Sequence, residues 1–327
     1  MLSGERILLA DIGGTNARLA LMQGGEIGAI EHLKVADFAS AADAVEAFLS
    51  RHAGKARPVA AVLDVAGPIE NNRCVLTNSH WIIDGFELER AFGFSSVRLL
   101  NDFEAIGWSL ADLQPADLFP LGGEVPAALG PQLVIGPGTG FGAACLFPGA
   151  RPLVVVTEAG HATLPATSTR EAEVLAAMRE RFGHVSIERA LSGMGIENVY
   201  RAIAAIDGVT VPERDAAAIT QSALDGSCAA SRATLDMFCA WLGAVAGNLA
   251  LTFCASGGVH IAGGIPPRFP DYVARSDLRR QFEAKGRYEA YLRRIPVSIV
   301  LKQDISFVGL RAYFNLTKTV GASAVSP

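Results

Sequence analysis

Three short stretches carry residue types at spacings that suit chemistry. Asp11-Ile12-Gly13-Gly14-Thr15-Asn16 sets one carboxylate before a turn with almost no side-chain bulk. Gly136-Pro137-Gly138-Thr139-Gly140 is equally bare. Asn101-Asp102 closes an apolar run, Val97–Leu100. Glycine lets backbone N–H groups approach an anion closely and permits positive φ, so each bare turn suits a phosphate chain. A tight hairpin likes the same residues. One such turn decides nothing, whereas two favour the phosphate reading. A third glycine cluster, Gly257-Gly258 and Gly263-Gly264, frames the strand-like Val259–Ala262 and suits close passage of a base or ribose.

Neither turn is a P-loop, because GxxxxGK[ST] is absent. Nor does Gly136–Gly142 have G-x-G-x-x-G spacing followed by a helix start. Neither turn holds a lysine, so phosphate charge must be met by amides and a metal. Mg²⁺ is the default, bound mainly through water and phosphate oxygens, with Asp11 placed to orient the hydrated ion. Asp102, at a strand end, reads either as the N-cap of a following helix or as a base that takes a hydroxyl proton; beside two phosphate turns the base leads. Thr157–Pro165 supplies Glu158 and His161, which together can accept from and donate to adjacent hydroxyls. Glu188, in Ser186–Gly193, reads locally as a solvated helical glutamate. Arg18 reads as an exposed charge on a strand arm, without a role.

The elements that position these residues follow from apolar periodicity. Ile7–Leu9, Ala17–Leu21, Val59–Val65, Val97–Leu100, Leu133–Ile135 and Val297–Leu301 read as strands. Ala41–His52 reads as a helix capped by Ser40, with Gly54 past its end. Further helices are expected over Arg170–Phe182, Ile196–Ile206, Asp215–Leu224, Arg232–Phe253 and Phe307–Leu316. Gly67–Trp81 reads as a hairpin with Asn71-Asn72 at its tip, and Trp81 as core. Gln114–Pro131, rich in Pro and Gly, reads as a connection. Leu8–Leu21 aligns without a gap on Leu133–Leu146, Gly13 falling on Gly138. That echo suggests two related halves, although chance remains a rival for so short a match.

Composition bounds the class. The chain has 327 residues, of which 50% are hydrophobic and 19% charged, ample for a large core. A net charge of −5 argues against a nucleic-acid partner. Five cysteines without a CxxC pair argue against a disulfide framework or a cysteine zinc site and suit a reducing cytoplasm. The N-terminus does not read as a signal peptide. Met237–Phe253, with Gly243 and Gly247 forming GxxxG, passes for a membrane helix by composition, but a buried core helix is the preferred reading and no membrane partner is expected.

The order DxGGTN, NDF, GxGTG, ExGH and GGVxIAGGI resembles the bacterial glucokinases of the hexokinase–actin–Hsp70 superfamily, over nearly the whole chain. The CxCGxxGC cluster of zinc-carrying ROK sugar kinases is absent. The resemblance implies an α/β, two-domain actin-like ATPase (ribonuclease H-like) fold with a central cleft. The expected smaller domain is 1–110, completed by a C-terminal helix at 305–327, with the larger at 111–304. The two crossings would form a hinge that closes on sugar. It implies ATP-dependent phosphorylation of D-glucose to glucose 6-phosphate, commonly in a homodimer. Asp102 would be the general base. Asn101, Asp102, Glu158, His161, Glu188 and Asn78 would contact sugar. Ala10, Asp11, Ile12, Gly13, Gly14, Thr15, Asn16, Gly138, Thr139, Gly140, Gly263 and Gly264 would hold Mg·ATP. Kinases of other hexoses or N-acetylhexosamines share such side chains. A non-catalytic sugar-binding regulator normally carries an upstream DNA-binding helix-turn-helix, for which a first strand at Ile7 leaves no room.

Overall fold

The apolar arms flanking Gly13–Asn16 fold into an antiparallel hairpin. Strands β1 (Arg6–Ile12) and β2 (Asn16–Gln23) pair from Arg6 opposite Gln23 to Ile12 opposite Ala17. The computed structural model describes residues 5–54, 56–76, 79–124 and 129–323, with side chains through 317. The chain divides into two units, Met1–Leu113 with Gln303–Pro327, and Gln114–Lys302.

In the first unit, β3 (Glu26–Ile27) and β4 (Glu31–Lys34) both pair with β2, and helix α1 (Ala41–His52) follows with Ser40 capping it through the Asp43 N–H. Strand β5 (Ala60–Val65) runs parallel to β1 and is buried throughout, as a strand covered on both faces must be. A separate small sheet, β6 (Ile69–Glu70), β7 (Arg73–Val75) and β8 (Ile82–Asp84), leads into α2 (Gly85–Phe92). Asn71 and Asn72 turn its hairpin with φ of 50° and 59°, a region Asn tolerates. The Asn72 amide also bridges to Val97 O and Leu99 N at 2.9 Å. Trp81 is buried, as expected of core, and its indole N–H donates to Phe38 O. Asn78 lies outside the described residues. Strand β9 (Val97–Asn101), parallel to β5, completes the order β3-β2-β1-β5-β9 and delivers α3 (Asp102–Ser109).

The second unit runs β10 (Leu118–Pro120), β11 (Gln132–Pro137), β12 (Phe141–Phe147), β13 (Leu153–Thr157), then helices α4 (Thr169–Phe182), α5 (Gly193–Ile206), α6 (Ala216–Leu224) and α7 (Ala229–Phe253). Strand β14 (Gly258–Ile261), helices α8 (Pro270–Arg275), α9 (Leu278–Glu283) and α10 (Glu289–Arg294), and strand β15 (Val297–Val300) close it. Its sheet order is β10-β15-β14-β11-β12-β13. Without the added β10, this is the order of the first sheet with β11, β12 standing for β1, β2, so the sequence echo has a topological counterpart.

Helix α7 is the long apolar segment, and it is largely buried in the second unit. A Cβ on Gly243 would sit 2.0 Å from Leu278 O, and one on Gly247 2.5 Å from Phe282 O, so its GxxxG accommodates α9. The final helix, α11 (Ile305–Ser323), packs on α3, β1 and β5. Phe307, Val308 and Leu310 are buried and Phe314 half-buried. A Cβ on Gly309 would lie 1.6 Å from Ala105 O, which is how closely α11 approaches α3.

Candidate active site

The first bare turn is a hairpin closed by the Gly13 N–H on Asn16 O at 2.9 Å. None of Gly13–Asn16 has positive φ, so left-handed geometry does not account for its glycines. Ala10 and Ile12 are buried within β1, leaving Gly13–Asn16 as the accessible part.

Arg18 is not a free arm charge. It lies opposite Asp11 in the β1–β2 register and pairs with Asp11 Oδ2, while its other terminal nitrogen meets Asp304 Oδ1 at 2.7 Å. Ser306 Oγ also donates to Asp11 Oδ2, at 2.6 Å. Burial opposes the Arg18 charge, but Asp11, Asp304 and Asp64 outweigh it and hold its pKa above the ordinary value. Asp64 is the neighbour of Asp11 on β5, 1% exposed, and its Oδ2 has no hydrogen-bond partner. Burial pushes its pKa well up, and the charges of Asp11 and Asp102 add to that, against Arg18.

Asn101, not Asp102, caps α3. Its side chain accepts the Phe103 N–H at 2.9 Å. Asp102 is the first helical residue, half-buried, and its Oδ1 accepts the same N–H at 2.9 Å.

In the second unit the turn Gly138–Gly140 lines one cavity and lies against Glu188, which lines another. On one side Gly138, Thr139 and Gly264 line a cavity of about 510 Å³, a size usual for small-molecule sites. Its other wall is α6, through Ala216, Ala217, Thr220 and Gln221, with Ile196, Ile265 and Phe269 giving apolar surface. The Gly193 N–H donates to Gly138 O at 2.9 Å, which ties the start of α5 to the turn. Gly263 is the one expected nucleotide residue with positive φ, +82°. Arg268, exposed, brings to this cavity a cation that the two turns lack.

On the other side, Glu188 Oε2 accepts the Phe141 N–H at 3.0 Å, and the Glu188 N–H donates to Gly160 O at 2.9 Å. Glu188 is therefore no solvated helical residue; it sits half-buried in a turn. Glu158 precedes and His161 ends the short turn Ala159–His161, with Glu158 Oε2 and His161 Nε2 3.8 Å apart and both side chains largely exposed. His161 and Glu188 line a second cavity of about 360 Å³, to which Arg189, Asn198 and Met194 also contribute. Those three, Arg268 and the α6 wall escaped sequence reasoning. Nothing in their local pattern separates them from ordinary surface helix, and the Gly193-Met194-Gly195 helix start was the one available signal.

Among the described residues, no group of three or more His, Cys, Asp or Glu side chains is arranged to hold a metal ion. Asp11 offers one carboxylate, with Oδ2 engaged by Arg18 and Ser306. That donor set fits Mg²⁺ that arrives on a nucleotide and keeps most of its water and phosphate ligands.

A family model described as Glucokinase matches residues 8–317. The chain belongs to the glucokinase family. It is 43% identical over 309 residues to the glucokinase of Paramagnetospirillum magneticum, covering 94% of this chain and 96% of that one. A crystal structure of a glucokinase from an Antarctic psychrotroph superposes with a TM-score of 0.89 at 37% identity, covering 95% and 99% of the two chains. The glucokinase of Balamuthia mandrillaris, solved in complex with glucose, shares the fold at 20% identity, with a TM-score of 0.76 over 96% and 94%. The two sheets of matching order are thus those of the actin-like ATPase fold as glucokinases carry it.

Proposed function

We propose that this protein transfers the γ-phosphoryl group of ATP to the 6-hydroxyl of D-glucose, giving glucose 6-phosphate and ADP. The observation that carries this reading is the double use of one turn. Gly138 and Thr139 face the larger cavity, while Gly140 leaves room for Glu188 and the Phe141 N–H binds it. A turn that binds phosphate on one side and fixes a sugar-reading carboxylate on the other keeps donor and acceptor in fixed geometry, which phosphoryl transfer chiefly requires.

In this reading Glu158, His161 and Glu188 take the sugar hydroxyls. Asn101 is assigned a sugar contact of its own through its amide nitrogen, since its oxygen caps α3. Asp102 accepts the 6-hydroxyl proton as the O6–Pγ bond forms and the Pγ–O bond to ADP breaks. The Gly13–Asn16 and Gly138–Gly140 turns offer amides to phosphate oxygens. Mg²⁺, when bound with the nucleotide, neutralises phosphate charge, and Asp11 orients its waters. A cytoplasmic homodimer is part of the same reading and is supported by the family likeness; light scattering tests the dimer.

The experiment is ADP release from Mg·ATP with a panel of hexoses. Glucose is expected to give the highest kcat/KM, ahead of mannose, fructose and N-acetylglucosamine. A different preferred sugar reassigns the substrate, and sugar binding without ADP release overturns the kinase reading.

A further inference from the structure

The bonds around Asp11 tie it to a part of the sequence far from the first turn. Asp11 Oδ2 accepts from both Arg18 Nη2 and Ser306 Oγ. Arg18 Nη2 is also 3.3 Å from Ser306 Oγ, and Nη1 reaches Asp304 Oδ1 at 2.7 Å. The guanidinium stands 5.7 Å from the centre of the Phe307 ring, at the start of α11. Asp304 adopts φ of 50°, a left-handed conformation uncommon for a residue with a Cβ. Strain of this kind persists where surrounding contacts over-determine it, and the carboxylate that results is the one bound to Arg18.

A carboxylate with two donors on one oxygen has lost its rotational freedom, and the direction of its second oxygen is set. The arginine fork suits this, because its planar nitrogens hold two carboxylates at fixed angles where a lysine ammonium would not. We infer that Arg18, held by Asp304 and assisted by Ser306, is a positioning residue that aims Asp11 at the hydrated Mg²⁺ of the nucleotide. The inference rests on the proposed kinase function. Arg18 itself touches neither nucleotide nor sugar in this assignment. Its effect passes through Asp11, as the partners of a metal-orienting group usually act.

The test compares wild type with Arg18→Gln, Arg18→Lys and Ser306→Ala. Steady-state rates give KM for Mg·ATP and for glucose separately. Calorimetry gives the affinity for the non-hydrolysable analogue AMP-PNP with and without Mg²⁺, a readout independent of turnover. Arg18→Gln is expected to raise the Mg·ATP KM by roughly 10–100-fold, the usual effect of losing such a partner, with the glucose KM within about twofold of wild type and most of the Mg²⁺-dependent gain in AMP-PNP affinity lost. Ser306→Ala is expected to shift the same quantities in the same direction by less, and Arg18→Lys to recover only part of the loss. A folded Arg18→Gln that keeps the wild-type Mg²⁺ dependence overturns the inference. If Arg18→Gln does not fold, unchanged Mg²⁺ dependence in both Arg18→Lys and Ser306→Ala overturns it equally. Failure of the kinase reading is distinct: there the wild type itself releases no ADP with any sugar.

Discussion

Glu188 Oε2 lies 2.5 Å from where a Cβ on Gly140 would stand, while accepting the Phe141 N–H at 3.0 Å. Glycine at 140 is thus a condition for the position of a carboxylate 48 residues later in the chain. The atom that a Gly140→Ala methyl would strike is the end of a side chain, which can swing aside at little cost to the fold. The carboxylate then leaves the place assigned to a sugar hydroxyl. Gly140→Ala is expected to raise the glucose KM by about 10- to 100-fold, the scale of a misplacement near 1 Å, with a melting temperature close to wild type. An unchanged glucose KM removes Glu188 from the sugar site.

Asp102→Asn preserves hydrogen bonding but cannot take a proton. Glucose affinity should stay within a few-fold, while kcat falls by roughly 10²–10⁴, which is about 3–5 kcal/mol of barrier. Near-normal turnover in this variant takes the proton-accepting role away from Asp102.

Glu158→Ala leaves sugar hydroxyls without an acceptor, at a cost of about 1–3 kcal/mol in glucose binding. Nucleotide affinity should be unchanged. Parallel losses in AMP-PNP and glucose affinity, measured by calorimetry, mark Glu158 as structural instead.

Burial holds the imidazole of His260 down at about 4, from an ordinary 6.5. Its Nδ1 meets Ser298 Oγ at 2.9 Å, and Nε2 is sealed without a partner although the residue as a whole is only half-buried. The folded protein therefore keeps this ring neutral while the unfolded chain protonates it. The contribution is present above pH 6.5 and lost as pH falls through the window down to about 4. In that window His260→Phe should flatten the dependence of unfolding free energy on pH by up to about 1.4 kcal/mol per pH unit. Urea titrations at several pH values measure it, and identical slopes for wild type and variant rule it out.

Asp64 has the opposite sign. Its pKa is raised, so its folded-state contribution is complete below an ordinary 3.8 and declines as pH rises. Asp64→Asn, which removes the ionisable group at equal size, should gain melting temperature relative to wild type as pH increases from 4 towards 8. A gain that is larger at pH 4 than at pH 8 contradicts the burial of a proton at this site.

Much of this was legible in the sequence because the informative signals were local. The bare turns sit between apolar arms, so both strand–turn–strand units could be read. The apolar stripe of Phe307, Val308 and Leu310 announced a helix that must dock. The misread residues have partners far away in sequence. Arg18 alternates along β2 like any outward charge, and its partners Asp304 and Ser306 lie 286 and 288 residues off. Glu188 stands in a segment of helix-forming composition, yet the bonds to Phe141 and Gly160 hold that segment in a turn. Asn101 and Asp102 are both good caps, and local sequence did not say which would serve. Asp64 looked like one more residue of an apolar strand, and only its neighbours across the sheet give its carboxyl a meaning.

The contact of Gly309 with Ala105 sets synthesis and assembly in opposite orders. A ribosome releases residues 6–109 early, with β1, β5 and α3 still lacking the helix that covers them. Gln114–Lys302, made afterwards, has every one of its own strands and helices available before Ile305–Ser323 has been translated. The unit encoded second is therefore the first able to finish folding, against the usual N-terminal-first sequence of domain formation. The nascent first unit must carry an uncovered apolar face through that interval.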